Sequence, residues 1–203
     1  IIFASTHEAG DACPQEVDRS KGYMWAVYPT YNIYLATDDG KIAKKLAGAP
    51  GYNAEGTVNW KTGKIVYTSM QSRDLELWTM DSDGAHKRQV TKTDGYDGGA
   101  VYSRDGQQLV WRANHPMNAE DLGRYKMLLS QNLTSPMKME LFVSDGEGYR
   151  VHEVTNFGCA SFAGLPRARS HQLRLRQFRS HLHAGRKKDP VCVESQRLRR
   201  AQV

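Results

Sequence analysis

A repeat with a period of 44 residues is the feature that most constrains how this chain can fold. Residues 77–91 align with residues 33–47 at an offset of 44, and residues 95–97 align with residues 51–53 at the same offset. Residues 141–155 carry a further copy at an offset of 64, which is one period plus an insertion of 20. A period of about 40 to 45 residues is typical of β-propeller blades, each of which is one small antiparallel sheet. The sequence therefore predicts an all-β fold made of repeated sheets.

Each repeat supplies strands rich in Val, Ile, Tyr, Trp and Thr, separated by turns such as Asp39-Gly40 and Asp83-Gly84. This alternation predicts four-stranded blades, with strands a to d running outward from the propeller axis. The predicted strands are residues 1–5 (b), 31–37 (c) and 42–47 (d) in blade one; residues 54–60, 64–69, 75–80 and 86–91 in blade two; and residues 99–103, 108–113, 138–144 and 150–155 in blade three. A fourth blade is predicted to begin at residues 160–162.

The repeats resemble those of the TolB-like propeller family, whose blades combine a Pro-Asp-Gly turn, an apolar strand, an aromatic strand, an Asp-x-Asp-Gly turn and a Leu-Thr pair. The matching pieces are Ser103-Arg-Asp-Gly106, Leu77-Trp-Thr-Met-Asp-Ser-Asp-Gly84 and Gln89-Val-Thr91, and the resemblance covers residues 1 to about 163. Lys61-Thr-Gly63 departs from the pattern because this turn lacks the Asp-Gly. The resemblance implies about three TolB-like blades, and a generic antiparallel sandwich is the alternative fold. Because closed propellers usually contain four to eight blades, we expect a longer ring or a homo-oligomer, most simply two chains that complete six blades.

Blades one and three each carry about 20 extra residues between strands b and c. In residues 117–136, the segment Asn118-Ala-Glu-Asp121 predicts the start of a short helix. The apolar residues that follow share one helical face: Leu122, Tyr125, Leu128 and Leu129. Residues 6–29 are predicted to form an ordered loop. Its predicted anchors are Tyr23, Trp25 and Tyr28.

The net charge of +6 belongs to the end of the chain. Residues 1–163 carry 17 Lys and Arg against 20 Asp and Glu, whereas residues 164–203 carry 11 against 2. Composition, charge and repeat register all change after Ala163, which indicates an out-of-frame, non-native or disordered tail. A basic nucleic-acid-binding arm is one alternative, but Phe178 is the only aromatic residue of the tail and offers no stacking platform, so we expect no nucleic-acid partner. An amphipathic helix is another alternative, and no apolar run is long enough to predict a membrane span.

Neither the cysteines nor the common catalytic motifs indicate a function. Cys13, Cys159 and Cys192 match neither a zinc motif nor a paired disulfide framework, so their disulfide state stays open. The sequence lacks a Gly-x-Ser-x-Gly elbow, a Gly-x-Gly-x-x-Gly loop after a strand and a phosphate-binding loop, so serine hydrolase, dinucleotide and nucleotide-hydrolysis functions have no support.

Candidate metal ligands lie two residues after strand b of each blade: His7, Gln71 and His115. Imidazole nitrogen and amide oxygen suit a divalent ion such as zinc or manganese, and calcium is a further candidate. Some polysaccharide lyases built from similar propellers use a His-rich metal site with a Gln ligand on this face, and the resemblance implies the same role here. Unrelated exposed histidines are the alternative.

The connections from strand d to the next strand a emerge on the same face and add further candidates. Tyr52, Asn53 and Tyr96 are the predicted ligand-binding residues, and Glu55 and Asp97 are the predicted acid/base residues. Blade three contributes Phe157 and Cys159 at the corresponding corner.

Two other recurring features are predicted to be structural. The acidic pairs Asp38-Asp39, Asp81 with Asp83, and Asp145 with Glu147 recur at one blade position, which favours turn formation over calcium binding. The aromatic residues Tyr34, Trp78 and Phe142 recur in strand c, which predicts packing within the blades.

Two functions follow as hypotheses. The first is a non-catalytic binding or scaffold propeller of the bacterial exported type, periplasmic or secreted, that holds a protein, peptide or glycan on its loop-rich face. The second is a metal-assisted hydrolase or lyase that acts on a polysaccharide or related polymer.

Overall fold

The computed structural model describes residues 1–10, 16–18, 20, 22–48, 50–135 and 138–155. In chain order, the elements are β1 (Ile2–Ser5), β2 (Trp25–Ala26), β3 (Asn32–Ala36), β4 (Ile42–Ala47), β5 (Asn53–Val58), β6 (Ile65–Ser69), β7 (Glu76–Met80), β8 (Arg88–Gln89), β9 (Tyr96–Tyr102), β10 (Gln108–Asn114), α1 (Ala119–Ser130), β11 (Leu133–Thr134), β12 (Glu140–Asp145) and β13 (His152–Glu153), with one 3₁₀ turn at His7–Ala9. The predicted fourth blade, the basic tail, the corner residues Phe157 and Cys159, and the other two cysteines lie outside the described residues.

The sheets confirm the all-β blade architecture that the repeats predict. Blade one is a three-stranded sheet in the order β1-β3-β4, and blades two and three are four-stranded sheets in the orders β5-β6-β7-β8 and β9-β10-β12-β13. Neighbouring strands within each blade are antiparallel, as predicted. Strand β9 begins three residues earlier than predicted, because Tyr96 and Asp97 pair with Asn114 and Ala113 of β10. The outer strands of blades two and three, β8 and β13, are only two residues long.

The blades pack face to face through two apolar clusters. Between blades one and two the fully buried members include Ile33, Ile65 and Tyr67. Between blades two and three they include Leu77, Leu109 and Trp111. The recurring strand-c aromatics pack within the blades as predicted: Trp78 and Phe142 are half-buried against these clusters, whereas Tyr34 is buried with its ring 5.6 Å from that of Phe3. The blade faces are therefore the core of this part of the chain.

The recurring acidic pairs form turns, as predicted. The backbone N–H of Ala85 donates to Asp83 at 2.9 Å, and Gly84 has a φ of 85°. The carboxylate of Asp145 likewise accepts the backbone N–H groups of Glu147 and Tyr149. These carboxylates therefore serve to close the turns between strands c and d.

The two insertions meet, which the sequence did not predict. Strand β2 of the first insertion pairs with β11 of the second, and Val27 N donates to Asn132 O at 2.8 Å. The helix packs beside this two-stranded sheet, where Tyr125 and Leu129 share an apolar cluster with Val27 and Leu75. The first insertion is thus more than an ordered loop. The prediction of Tyr23 as an anchor was wrong, because its side chain is 68% exposed.

Helix α1 begins where the capping pattern predicts. Asn118 is its N-cap and accepts the backbone N–H of Asp121 at 2.8 Å. Tyr125, Leu128 and Leu129 are buried, so the predicted apolar face is the packed one. No helix in the described ranges is long and apolar enough to cross a membrane.

Gly123, in the exposed part of α1, offers a stabilising substitution. A Cβ added there meets no atom within 4 Å, and alanine restricts the unfolded chain more than glycine does. We expect Gly123→Ala to raise the free energy of unfolding by about 0.5–1 kcal/mol, measured by urea denaturation. An unchanged or lower value would contradict the helical environment described for this residue.

Candidate functional site

Both insertions lie at one end of the blades, which is called here the b–c face. At this end strand b leads to strand c and strand d leads to the next strand a, as at residues 70–75 and 90–95. The opposite end carries the short a–b turns, at residues 59–64 and 103–107, and the c–d turns. The predicted site residues therefore lie near the b–c face.

Strand a of blades two and three has a bulge at the same repeat position. Glu55 and Gly99, 44 residues apart in the sequence, have φ values of 57° and 62°. The register of β5 shifts between Ala54 and Thr57, on either side of Glu55. Glycine tolerates this left-handed conformation, whereas for a residue with a side chain it costs about 1–3 kcal/mol. Such strain persists only where the surroundings hold it, and it concentrates at functional sites.

The carboxylate of Glu55 is held by four donors. It accepts hydrogen bonds from Thr68 Oγ1 at 2.9 Å, Gly99 N at 3.0 Å, Tyr96 Oη at 3.1 Å and Arg112 Nη2 at 2.6 Å. Thr68 belongs to blade two, and the other three donors belong to blade three. The contacts therefore join the two bulges across the interface between blades.

Arg112 is fixed on several sides. Its Nε and Nη2 both lie 3.2 Å from Tyr96 Oη, and its guanidinium carbon lies 4.9 Å from the centre of the Trp25 ring. Burial raises the pKa of Tyr96, so its hydroxyl stays protonated and donates to Glu55 while it accepts from Arg112. The Arg112 and Glu55 side chains remain 38% and 23% exposed. We call Trp25, Glu55, Thr68, Tyr96 and Arg112 the Glu55–Arg112 cluster.

A second pair lies next to this cluster in the same strands. Asp97 is fully buried and accepts hydrogen bonds from Trp111 Nε1 at 2.6 Å and His115 Nε2 at 2.9 Å. Burial lowers the pKa of His115, but the hydrogen bond and the charge of Asp97 outweigh this effect, so the pKa lies above its ordinary value. Within the described residues no hydrogen bond engages the other ring nitrogen, Nδ1.

His115 lines a cleft of about 460 Å³ between α1 and blade three. Its walls include Asn118 and Arg124 from the second insertion, and Glu140 and Phe142 from β12. The Phe142 ring lies 5.1 Å from the imidazole. With Nε2–H directed at Asp97, neutral His115 carries its lone pair on Nδ1, which is the arrangement of a general base.

We expect an NMR titration to place the pKa of His115 above 6.5, and Asp97→Asn to lower it. Because the pKa is raised on folding, the stabilisation from this pair is complete below about pH 6.5 and fades as the pH rises through the folded-state pKa. The imidazole resonance can be assigned by comparison with His115→Gln. A wild-type pKa at or below that of the Asp97→Asn variant would contradict the account.

The three predicted metal ligands have separate contacts. The Nδ1 of His7 lies 3.1 Å from Ser5 Oγ, and the His7 ring packs on Tyr34 at 4.5 Å. Gln71 is exposed, and His115 pairs with Asp97. In the part of the chain that the structure describes, no group of three or more His, Cys, Asp or Glu side chains is arranged to hold a metal ion.

The predicted corner residues differ in their accessibility. Tyr52 is half-buried, and its ring lies 5.7 Å from that of Tyr31. Asn53 is fully buried, where it accepts from Ser69 Oγ at 2.8 Å, so it ties strands a and b together. Tyr96 is also buried, but its hydroxyl reaches the Glu55–Arg112 cluster.

Arg112 and Trp25 were not predicted to be site residues. A signal for Arg112 was present, because a charged residue interrupts the apolar strand Gln108–Asn114 where blade two has Thr68. Glu55 likewise replaces the glycine that blade three has at its bulge. The sequence signal for this site is therefore a charged residue at a repeat position where the neighbouring blade has an uncharged one.

No protein-family model matches the chain, and no curated protein does. Among solved structures the chain is similar to the one titled "The structure of putative TolB from Agrobacterium tumefaciens", with 16% sequence identity and a TM-score of 0.49. The similarity covers 66% of this chain and 45% of that chain, so this chain spans less than half of that protein's length. The described residues form three antiparallel blades, whose repeats resemble those of the TolB-like family.

Proposed function

We propose that the blades form a binding module whose ligand contacts the b–c face at the Glu55–Arg112 cluster. The protein would be a binding or scaffold propeller of the bacterial exported type, periplasmic or secreted, and its ligand a protein, peptide or glycan. The observation that carries this proposal is the left-handed backbone of Glu55, whose carboxylate holds a partly exposed arginine. Glu55 is one of six described non-glycine residues with a positive φ, but the other five lie in turns and loops, whereas Glu55 lies within β5, where such strain supports a functional role.

Other contacts between the same two blades do not combine a charge with a strained strand. Thr57 Oγ1 donates to Ala100 O at 2.7 Å, and Asn59 Nδ2 donates to Gly106 O at 3.0 Å. At the opposite end, Lys64 and Glu147 form a partly exposed ion pair at 2.8 Å between turns. The proposal therefore rests on the strained backbone of Glu55 together with the partly exposed guanidinium, and not on charge alone.

The test is Arg112→Met, with Arg104→Met as the matched control. Arg104 is exposed in the a–b turn of blade three, at the opposite end of the blade. Soluble peptides and oligosaccharides are screened against the wild-type chain, and ligands that bind are titrated by calorimetry. Because a charge-assisted hydrogen bond contributes about 1.5–3 kcal/mol, Arg112→Met should weaken binding at least about tenfold, with no change for Arg104→Met. Equal binding by all three proteins would refute the proposal.

A second candidate is a metal-assisted hydrolase or lyase acting on a polysaccharide or related polymer. The contact between Asp97 and His115 favours it, because a histidine oriented by a buried carboxylate suits acid/base chemistry. In the metal-dependent form, His7, Gln71 and His115 would hold zinc, manganese or calcium, and Glu55 or Asp97 would transfer protons. Metal analysis and polysaccharide degradation are measured for the wild type, His7→Ala and His115→Ala. Metal content and activity that survive both changes would remove this candidate.

The proposed assembly is a homo-oligomer. Closed propellers contain four to eight blades, whereas the described residues supply three. Two chains could complete six blades. Light scattering at several protein concentrations tests this, and a folded monomer at every concentration would contradict it.

A further inference from the structure

Aromatic residues form two short series beside the Glu55–Arg112 cluster, Tyr28–Tyr31–Tyr52 and Tyr23–Trp25. The ring centres lie 6.2 Å apart for Tyr28 and Tyr31, 5.7 Å for Tyr31 and Tyr52, and 6.0 Å for Tyr23 and Trp25. Tyr52 and Trp25 pack against one apolar cluster at this end of the blades. We call Tyr23, Trp25, Tyr28, Tyr31 and Tyr52 the aromatic strip.

Every member of the strip keeps solvent-accessible surface. Tyr23 is exposed and the other four are half-buried. The strand-c aromatics Trp78 and Phe142 are half-buried as well, but they pack against the apolar clusters between the blades. Aromatic rings present a flat apolar face together with polar groups at the edge. The strip therefore suits a ligand that is flat and apolar on one side and polar at its rim, as a pyranose ring is.

The charges beside the strip cancel. Glu55 and Arg112 neutralise each other at 2.6 Å, so the cluster carries no net charge for an ionic ligand. Within the described residues no hydrogen bond engages Arg112 Nη1, so its N–H groups are available as donors. The Glu55 carboxylate, 23% exposed on its side chain, offers an acceptor. Fixed donors and acceptors without net charge match the hydroxyl groups of an uncharged sugar.

An extended peptide would be recognised differently. Peptides that bind β-sheet proteins in extended form add main-chain hydrogen bonds to a strand edge. The strip instead consists of side chains from the first insertion, from Tyr31 just before β3 and from Tyr52 just before β5, so its contacts would be made with rings. This geometry favours stacking over strand addition.

We propose that the b–c face binds an uncharged oligosaccharide, with its rings stacked on the aromatic strip and its hydroxyls bound by Arg112 and Glu55. This inference rests on the proposed function, because the site is the same.

The experiment uses the full chain and calorimetric titration. The probes are neutral gluco-, xylo- and chito-oligosaccharides of two to six units, acidic oligouronides, and uncharged peptides. We expect neutral oligosaccharides to bind, and longer ones to bind more tightly. Trp25→Ala and Tyr31→Ala should each weaken binding at least about tenfold, because each change removes an aromatic face on which a sugar ring would stack.

The matched control is Trp60→Ala, because Trp60 is 89% exposed at the opposite end of blade two and should not affect binding. Near-UV circular dichroism checks that each variant is folded, and Trp25→Phe, which keeps an aromatic face, should retain most of the affinity. If only peptides or oligouronides bind, and Arg112→Met weakens that binding, oligosaccharide binding is contradicted but the proposed binding function is supported. If Arg112→Met weakens the binding of no probe, both proposals are contradicted.

Discussion

Replacing Asp97 by alanine is expected to lower the free energy of unfolding by about 3 kcal/mol. The change leaves the buried Trp111 N–H without an acceptor and removes the partner of His115. An unsatisfied buried donor costs about 1–3 kcal/mol, and removing one partner of a buried ionic contact costs more. Urea denaturation at pH 6 measures the loss.

Asp97→Asn is the matched control, and the repeat explains why. Blade two has Asn53 at the equivalent position, where its side chain is fully buried and accepts a hydrogen bond from Ser69. An asparagine at position 97 keeps the shape and an acceptor for Trp111, so we expect it to lose less than half as much stability as alanine does. An Asp97→Ala variant within 0.5 kcal/mol of the wild type, a margin typical of neutral surface changes, would show that the carboxylate is not a structural link.

Gly95→Ala is expected to be the second severe change, with a loss of about 3 kcal/mol or more. Gly95 has a φ of 132°, and an added Cβ would overlap the backbone oxygen of Asn114 and lie 2.9 Å from Pro116 Cδ. Backbone strain and a steric clash with main-chain atoms combine here. The corner is also tied to α1, because Tyr125 Oη donates to Gly95 O at 2.8 Å. Movement of this corner would displace both Tyr96 and Asp97.

Gly51→Ala serves as the comparison for Gly95→Ala. Gly51 is the equivalent corner one repeat earlier, with a φ of 96°, and its nearest contact is the side-chain Cβ of Met70 at 3.0 Å. Thermal unfolding of both variants should show the smaller loss at Gly51, because its added Cβ would lie 3.0 Å from Met70 Cβ, whereas the Cβ added at Gly95 would overlap the backbone oxygen of Asn114. Equal losses would mean that backbone conformation alone, and not the contact with Asn114, sets the requirement for glycine.

The blades could be predicted from the sequence because their signals are local. Asp-Gly turns and short apolar strands recur at a fixed offset, and most strands pair with the next strand in the chain, while β1 and β10 pair with β3 and β12 across the insertions. The pairing of β2 with β11 could not be predicted, since each strand has two residues and they lie in different insertions. Helix α1 was predictable because Asn118 and the apolar spacing after it mark the helix directly.

The candidate site was predicted in part. Glu55, Tyr96, Asp97 and His115 were identified from their positions in the repeat, but their partners depend on how the blades pack. The contact between Glu55 and Arg112 crosses from one blade to the next, and the pairing of Asp97 with His115 follows from the register of β9 against β10. Neither is encoded in a local motif. The metal role of His7, Gln71 and His115 stays a proposal, with each side chain in contacts of its own.

Hydrogen exchange with mass spectrometry, in the presence of a ligand found in the calorimetric screen, tests whether the b–c face binds the ligand. We expect slower exchange at the b–c ends of β5 and β9, in peptides that cover residues 52–57 and 96–100. We also expect no change in the a–b turns at residues 59–64 and 103–107. Protection of the a–b turns, with residues 52–57 and 96–100 unaffected, would place the ligand at the other end of the blades and contradict the account.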